Sequence, residues 1–160
     1  MEIPKIPKTA EELKAHTTPD KLEYYAFLWS EARLALGAVA LLAGGIPVVR
    51  LVIPFGFLSG ITGLILTVAW IISGVASAYL GYRWYIGGRK IFGAEEMKDT
   101  IAFLVSTVSG LNLGITGLSA KNIGMTIFSA QLIYSLTAIL YITTALYLYW
   151  RWNSAGKKLF

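Results

Sequence analysis

The sequence predicts an all-α polytopic membrane protein with four transmembrane helices. Of its 160 residues, 56% are hydrophobic and only 14% are charged, and the mean hydropathy of +0.61 lies outside the range of soluble globular proteins. Four apolar segments are each near or above the roughly 20 residues that a helix needs to cross the hydrocarbon of a bilayer. One of them, residues 51–82, has no charged side chain at all. A chain of this length has room for one domain, which we place at residues 18–160 after a cytoplasmic tail at residues 1–17.

The first predicted span covers residues 24–44. Thr18 has the properties of a helix N-cap, with Pro19 at the first helical position and Asp20 in the first turn. Gly44 and Gly45 are expected to end the helix.

The second predicted span, residues 51–84, is the central packing element. Its small residues recur every three or four positions, which leaves one helix face almost without side-chain bulk and favours close approach of another helix. The glycines on that face are Gly56, Gly60, Gly63, Gly74 and Gly81. Proline near a helix start is tolerated, so we favour a continuous helix from about Pro54. The alternative is a break near Pro54 and Gly56, with the outer part as a short re-entrant or interfacial piece.

A polar cytoplasmic loop at residues 85–100 separates this helix from the third span, residues 101–118, and the fourth span follows at residues 123–150. The third span is also rich in small residues, and Gly110, Gly114 and Gly117 are its expected packing positions. We therefore expect the second and third helices to pack through their glycine faces.

Lysine and arginine are concentrated in the tail, in the long loop and at the C-terminus, whereas the other two connections have one each, Arg50 and Lys121. The positive-inside rule then places both termini in the cytoplasm. We expect the protein to be integral to the plasma membrane. The basic residues flank apolar segments, which favours anionic lipid at the cytoplasmic face as their partner and not nucleic acid.

Two segments 68 residues apart are similar, AYLGYRWYIGGRKIF from Ala78 and LYLYWRWNSAGKKLF from Leu146. The identical pairs are Tyr79/Tyr147, Leu80/Leu148, Arg83/Arg151, Trp84/Trp152, Gly88/Gly156, Lys90/Lys158 and Phe92/Phe160. The repeat indicates two duplicated parallel helical hairpins. The alternative is convergence, because any helix that leaves a membrane inward favours aromatic and then basic residues.

Arg33 is the strongest candidate for a charged intramembrane site, because it shares the small-residue face of the first helix. An unpaired arginine inside a membrane costs several kcal/mol, so it requires an acceptor. One hypothesis is an anion or carboxylate site, including a carboxylate of another subunit. The alternative, which we favour, is extension to the inner headgroups with an acid such as Glu95 or Asp99 as partner.

Asn112 and Gln131 are the only amides within the predicted spans, at similar predicted depth. We expect them either to bond to each other and set helix register, or to belong to a polar pathway for a solute.

The sequence lacks the residue types that several kinds of site require. The chain has no cysteine, and its one histidine is His16 in the tail, so we predict no cofactor and no metal site. No Asp or Glu is expected at mid-depth in a span, which disfavours proton-coupled carriers and cation sites. We predict that the chain is not an enzyme.

These features favour a non-catalytic structural or accessory subunit of a larger membrane complex, such as an energy-transducing one, with other membrane subunits as partners. The alternative is a small homo-oligomeric channel or carrier for a neutral or anionic solute, using Arg33, Asn112 and Gln131. A third class is an enzyme acting on lipid, for which the only candidate catalytic residues are the loop acids Glu95, Glu96 and Asp99.

Overall fold

The computed structural model describes residues 17–53, 59–127 and 130–160. Four of its helices are long and apolar enough to cross a membrane. They are α1 (Pro19–Leu42), α3 (Ser59–Ile86), α4 (Met97–Ser119) and α6 (Gln131–Ser154), and two short helices, α2 (Val48–Val52) and α5 (Ile123–Ile127), precede α3 and α6. The predicted all-α fold with four spans is confirmed. The predicted tail, apart from Thr17, lies outside the described residues.

Helix α1 begins where its capping signals predict, with Thr18 in an extended conformation and Pro19 at the first position. Its start is therefore five residues before the predicted span boundary at residue 24. The helix ends at Leu42, and the chain then turns through Gly44 and Gly45, whose φ angles are +76° and +84°. Glycine suits these positions because a Cβ disfavours positive φ.

The predicted second span, residues 51–84, is divided. Leu51 belongs to α2, which ends at Val52, and Ile53 is extended with φ −103° and ψ 106°. The physical reason is Pro54, because proline disfavours the helical conformation in the residue before it. Helix α3 begins at Ser59, and both Gly56 and the predicted helical start at Pro54 lie outside the described residues.

The predicted fourth span, residues 123–150, is likewise two helices. Helix α5 ends at Ile127, Ala130 is extended with φ −75° and ψ 136°, and the spanning helix α6 begins at Gln131. The Asn122 side chain caps α5 by accepting a hydrogen bond from the Met125 amide at 3.1 Å. Apolar composition continues through both helices, so hydropathy alone does not locate the break.

The helices pack most extensively as two pairs, α3 with α4 and α1 with α6. The closest approach is between Gly74 of α3 and Gly114 of α4, where a Cβ added to either glycine would lie 2.6 Å from the Cα of the other. Helices approach this closely in membranes where both lack side chains. The predicted packing of the second and third spans through glycine faces is thus present in the structure.

The hydrophobic core is concentrated at the end of the bundle where α1 begins and α3 and α6 end, which we call the core end. Its buried residues are Phe27, Leu80, Ile91, Ala102, Phe103, Leu148, Trp152 and Leu159. Ile91 lies in the loop after α3, and the backbone of its neighbour Phe92 donates a hydrogen bond to the Leu159 carbonyl at 2.8 Å. The loop and the C-terminus therefore close the core end together.

This core explains why most tryptophans lie toward one end of the bundle. Trp152 is buried with its ring 5.2 Å from that of Phe27, and Trp84 packs 5.7 Å from Phe103. Trp152 is therefore a core residue and Trp84 is partly buried against the core, whereas Trp150 is exposed. The one-sided distribution therefore reflects core packing as well as contact with headgroups.

Candidate functional site

Two ion pairs join the helices at the core end. In the first, Arg83 of α3 binds Glu23 of α1, and the hydroxyl of Tyr79, one turn earlier, donates to the Pro19 carbonyl at 3.2 Å. Glu23 is buried, so the pair is shielded from solvent on its acidic side. This contact ties the end of α3 to the start of α1.

The second ion pair has the same design. Arg151 of α6 binds Asp99 of α4 through Nη2 to Oδ2 at 2.6 Å and Nε to Oδ1 at 2.9 Å, and the Tyr147 hydroxyl donates to Oδ1 at 2.7 Å. Asp99 is 0% exposed. Glu96 lies 3.4 Å from the same arginine but its side chain is half exposed. Asp99 is therefore the principal anchor of α6 at this end.

We call the two sets of contacts the Tyr-Arg clamps, formed by Tyr79 with Arg83 and by Tyr147 with Arg151. The tyrosine and the arginine of one clamp are 68 residues from those of the other. Each clamp binds the start of the preceding spanning helix. The turns that follow also match, because the amides of Arg89 and Lys157 both donate to a tryptophan carbonyl five residues earlier at 2.9 Å. Convergence on a membrane-exit composition does not require this shared tertiary contact. The duplication itself stays a prediction, with these contacts in its favour.

Arg33 is buried inside the bundle and binds α4. Its Nη1 donates to Ser109 Oγ at 2.8 Å and its Nη2 to the Ser106 carbonyl at 2.8 Å. The hydroxyl of Tyr141, from α6, also interacts electrostatically with the Arg33 guanidinium. The acceptors are therefore hydroxyl and carbonyl groups of the neighbouring helix, and not headgroups, Glu95 or Asp99 as expected from the sequence.

Glu31 differs most from the sequence-based expectation. It is the thirteenth of the 24 residues of α1 and is only 8% exposed, so a carboxyl group does lie at the middle of a spanning helix. In the predicted span, residues 24–44, Glu31 is the eighth of 21 residues, and the expectation that no acid lies at mid-depth overlooks it. Neither of its carboxyl oxygens has a hydrogen-bond partner within the described residues, and the same is true of the buried Ser30 and Ser77 hydroxyls.

Asn112 does not bond to Gln131. Its amide nitrogen donates to Asn122 Oδ1 at 2.9 Å, and its carbonyl oxygen accepts from the Gly124 amide at 3.2 Å. It therefore holds α5 against the end of α4. The expected pairing was wrong because residues 123–150 were treated as one helix, which concealed Asn122 as a capping residue.

The predicted packing glycines fall into three groups. Besides the Gly74–Gly114 contact, a Cβ on Gly110 would lie 2.9 Å from Arg33 Cζ and one on Gly117 would lie 3.0 Å from the Ile71 nitrogen. At Gly81 there is room, with Thr107 Cγ2 at 3.5 Å. At Gly60 and Gly63 no atom of the described residues comes within 4 Å.

The sequence analysis does not predict Asp99 as the partner of Arg151, nor Glu23 and Ile91 as buried residues. The signal for the clamps is the repeated Tyr-x-x-x-Arg motif, in which both side chains lie on one helix face. Its arginines are predicted as members of the repeat and as topology signals, but not as ion-pair partners. Nothing local in the sequence marked Ile91 as a buried loop residue.

Within the described residues no three or more His, Asp or Glu side chains are grouped so that they could hold a metal ion. Comparisons with protein-family models, with curated proteins and with solved structures find no match to this chain. Function must therefore be argued from the residues themselves.

Proposed function

We propose that this protein is a non-catalytic structural or accessory subunit that binds other membrane proteins through the first half of α3. The observation that carries the proposal is that, among the described residues, no atom lies within 4 Å of a Cβ built on Gly60 or Gly63. These glycines lie on the same small-residue face as Gly74, which makes the closest helix contact in the bundle. A small-residue face favours a second helix over lipid, because it lets two backbones approach.

The surroundings of these glycines support a helix as the partner. Ile61 and Leu64, on the same part of α3, are 56% and 65% exposed, so α4 and the other described helices leave this region uncovered. Large apolar residues beside a glycine face resemble the interfaces at which membrane helices dock. The partner we propose is therefore a membrane-spanning helix of a different subunit.

The test is native mass spectrometry of the full chain extracted gently from its own membrane. We expect one or a few copies beside different, larger subunits, and we expect Gly60→Leu combined with Gly63→Leu to release the chain from them. Val75→Leu is the matched control, because Val75 is 65% exposed on the same helix and a leucine there adds bulk outside the glycine face. Recovery of the chain only as a closed ring of its own copies would contradict the proposal.

A channel or carrier is the second candidate, and the unbonded buried oxygens of Glu31, Ser30 and Ser77 are what favours it. Two of the residues expected to line a pathway, however, belong to separate hydrogen-bond networks. Arg33 binds Ser106 and Ser109, whereas Asn112 binds Asn122 beside α5. Solute flux in proteoliposomes containing only this chain, lost in Glu31→Gln, would favour transport over the subunit proposal.

A further inference from the structure

An open depression of about 470 Å³ lies at the core end, between the end of α3 and the start of α4. Its lining residues are Trp84, Gly88, Arg89, Glu95 and Thr100. Gly88 has a φ of +78°, and nothing lies within 4 Å of a Cβ built on it, so the depression stays open there. Its volume falls in the range of small-ligand sites, about 300–1,000 Å³.

Two opposite charges face this depression without neutralising each other. Within the described residues, neither the Arg89 guanidinium nor the Glu95 carboxylate is in an ion pair, and the only charge contact of Arg89 is with the ring of Tyr85, 5.5 Å from its centroid. The clamp arginines nearby, Arg83 and Arg151, both have buried acidic partners. A ligand that fits Arg89 and Glu95 together carries both a negative and a positive group.

The position of the depression at the end of a spanning helix favours the level of the lipid headgroups. It opens just beyond Ile86, the last residue of α3. Tyr82, Tyr85 and Trp150, at the same end of the bundle, are 61%, 64% and 62% exposed. Exposed tyrosine and tryptophan at the end of a spanning helix favour the headgroup region.

We propose that this depression binds the headgroup of a zwitterionic phospholipid that carries a primary ammonium, that is, a phosphoethanolamine headgroup. Arg89 and the Thr100 hydroxyl bind the phosphate. Glu95 accepts hydrogen bonds from the ammonium, and Trp84 forms an apolar wall.

Glu95 is what distinguishes this headgroup from the alternatives. A headgroup with negative charge only, such as phosphoglycerol, presents neutral hydroxyls to Glu95 and so forms no charge-assisted hydrogen bond from a cation. A quaternary ammonium has no N–H to donate, so it loses the charge-assisted hydrogen bonds to Glu95. Glu95 therefore gives the depression a selectivity that the general attraction of anionic lipid to basic residues does not provide.

The experiment uses the full chain in nanodiscs with equal parts of phosphatidylethanolamine, phosphatidylcholine and phosphatidylglycerol, followed by native mass spectrometry of the lipid retained. We expect phosphatidylethanolamine to be retained roughly fivefold over each of the others, as the energies of charge-assisted hydrogen bonds suggest. Glu95→Gln should remove this preference, and Arg89→Gln should lower retention of all three lipids.

Lys90→Gln is the matched control, because Lys90 is an exposed cation beside Arg89 that does not line the depression. Equal retention of the three lipids by the unaltered chain, or a preference that survives Glu95→Gln, would overturn the proposal. A second arm adds soluble phosphoethanolamine to the delipidated chain in detergent. Retention of that compound without retention of the lipid would overturn the assignment to a membrane lipid. All variants are checked for an unchanged melting temperature, so that a folding defect is not mistaken for lost binding.

Discussion

At the residue scale, the buried charges decide how the helices are held. Asp99 is completely buried, and its two oxygens accept hydrogen bonds from Arg151 and Tyr147 of α6. A buried carboxylate in such a network contributes through its partners, because removing it leaves a cation without a counter-charge. Arg33 is a different case, since its acceptors are neutral groups of α4.

We expect Asp99→Ala to lower the free energy of unfolding in detergent micelles by about 3 kcal/mol, because Arg151 loses its buried partner. The measurement is denaturant unfolding followed by tryptophan fluorescence, since Trp152 lies next to Arg151. Glu96→Ala is the control, because Glu96 contacts the same arginine from a half-exposed position and should cost less than about 1 kcal/mol. Equal effects of the two substitutions would argue against Asp99 as the anchor.

Arg33→Lys keeps the charge but loses the two-pronged geometry that reaches both Ser106 and Ser109. We expect a loss of about 1–3 kcal/mol in the free energy of unfolding, the cost of leaving a buried acceptor unpaired. Arg50→Lys, at an exposed position in the last turn of α2, should change it by less than about 0.5 kcal/mol. If the buried and exposed substitutions are equally harmless, Arg33 does not hold α4.

At the scale of elements, the α3–α4 pair is the most tightly packed part of the bundle. Its contact at Gly74 and Gly114 is backbone against backbone, so a substituent has no flexible side chain to displace. The clamps act at the other contacts, α1 with α3 and α4 with α6, at the core end. Glycine packing and charge clamps therefore secure different helix pairs.

Gly114→Ala should separate α3 from α4, because its Cβ would lie 2.6 Å from the Gly74 Cα. We expect a loss of about 1–3 kcal/mol in the free energy of unfolding, as for other overpacked interiors. Gly60→Ala is the matched control on α3: nothing lies within 4 Å, so the better helix propensity of alanine should make it neutral or stabilising by up to about 1 kcal/mol. A stabilising Gly114→Ala would contradict the close approach.

At the scale of the whole molecule, the two hairpins α1–α3 and α4–α6 are related in their contacts. The most extensive helix pairs are α3 with α4 and α1 with α6. If α1 and α3 exchange places with α4 and α6, each of these pairs becomes the other. The clamps exchange in the same way. This is the arrangement expected of a duplicated unit with an axis along the membrane normal.

The core end contains the start of α1, the loop after α3 and the C-terminus, and we predict that it faces the cytoplasm. The chain has no cysteine, so single cysteines can report the side of each segment. We expect Lys90→Cys and Lys158→Cys to resist an impermeant maleimide in intact cells and to react after permeabilisation. Arg50→Cys and Lys121→Cys should react in intact cells, and the reverse pattern would invert the proposed orientation.

Much of the fold follows from local patterns, and the exceptions have identifiable causes. Thr18 and Pro19 marked the start of α1 correctly, because capping depends on neighbouring residues only. The boundaries after Val52 and Ile127 were not marked by hydropathy, which is similar on both sides of each break. The burial of Glu31 is not marked locally either, because it depends on which helices pack against the middle of α1.

The sequence by itself determined that this is a bundle of four helices long and apolar enough to span a membrane. It predicted eight packing glycines, of which Gly74, Gly110, Gly114 and Gly117 make close contacts. The length of an apolar segment can be compared with the thickness of a bilayer from the sequence alone. The absence of a side chain at glycine is likewise known without the structure. Only the tertiary structure decided that Asp99 binds Arg151, that Arg33 binds α4, and that Gly60 and Gly63 face open space. Partners far apart in the chain are selected by helix orientation and register, which composition and spacing do not encode locally.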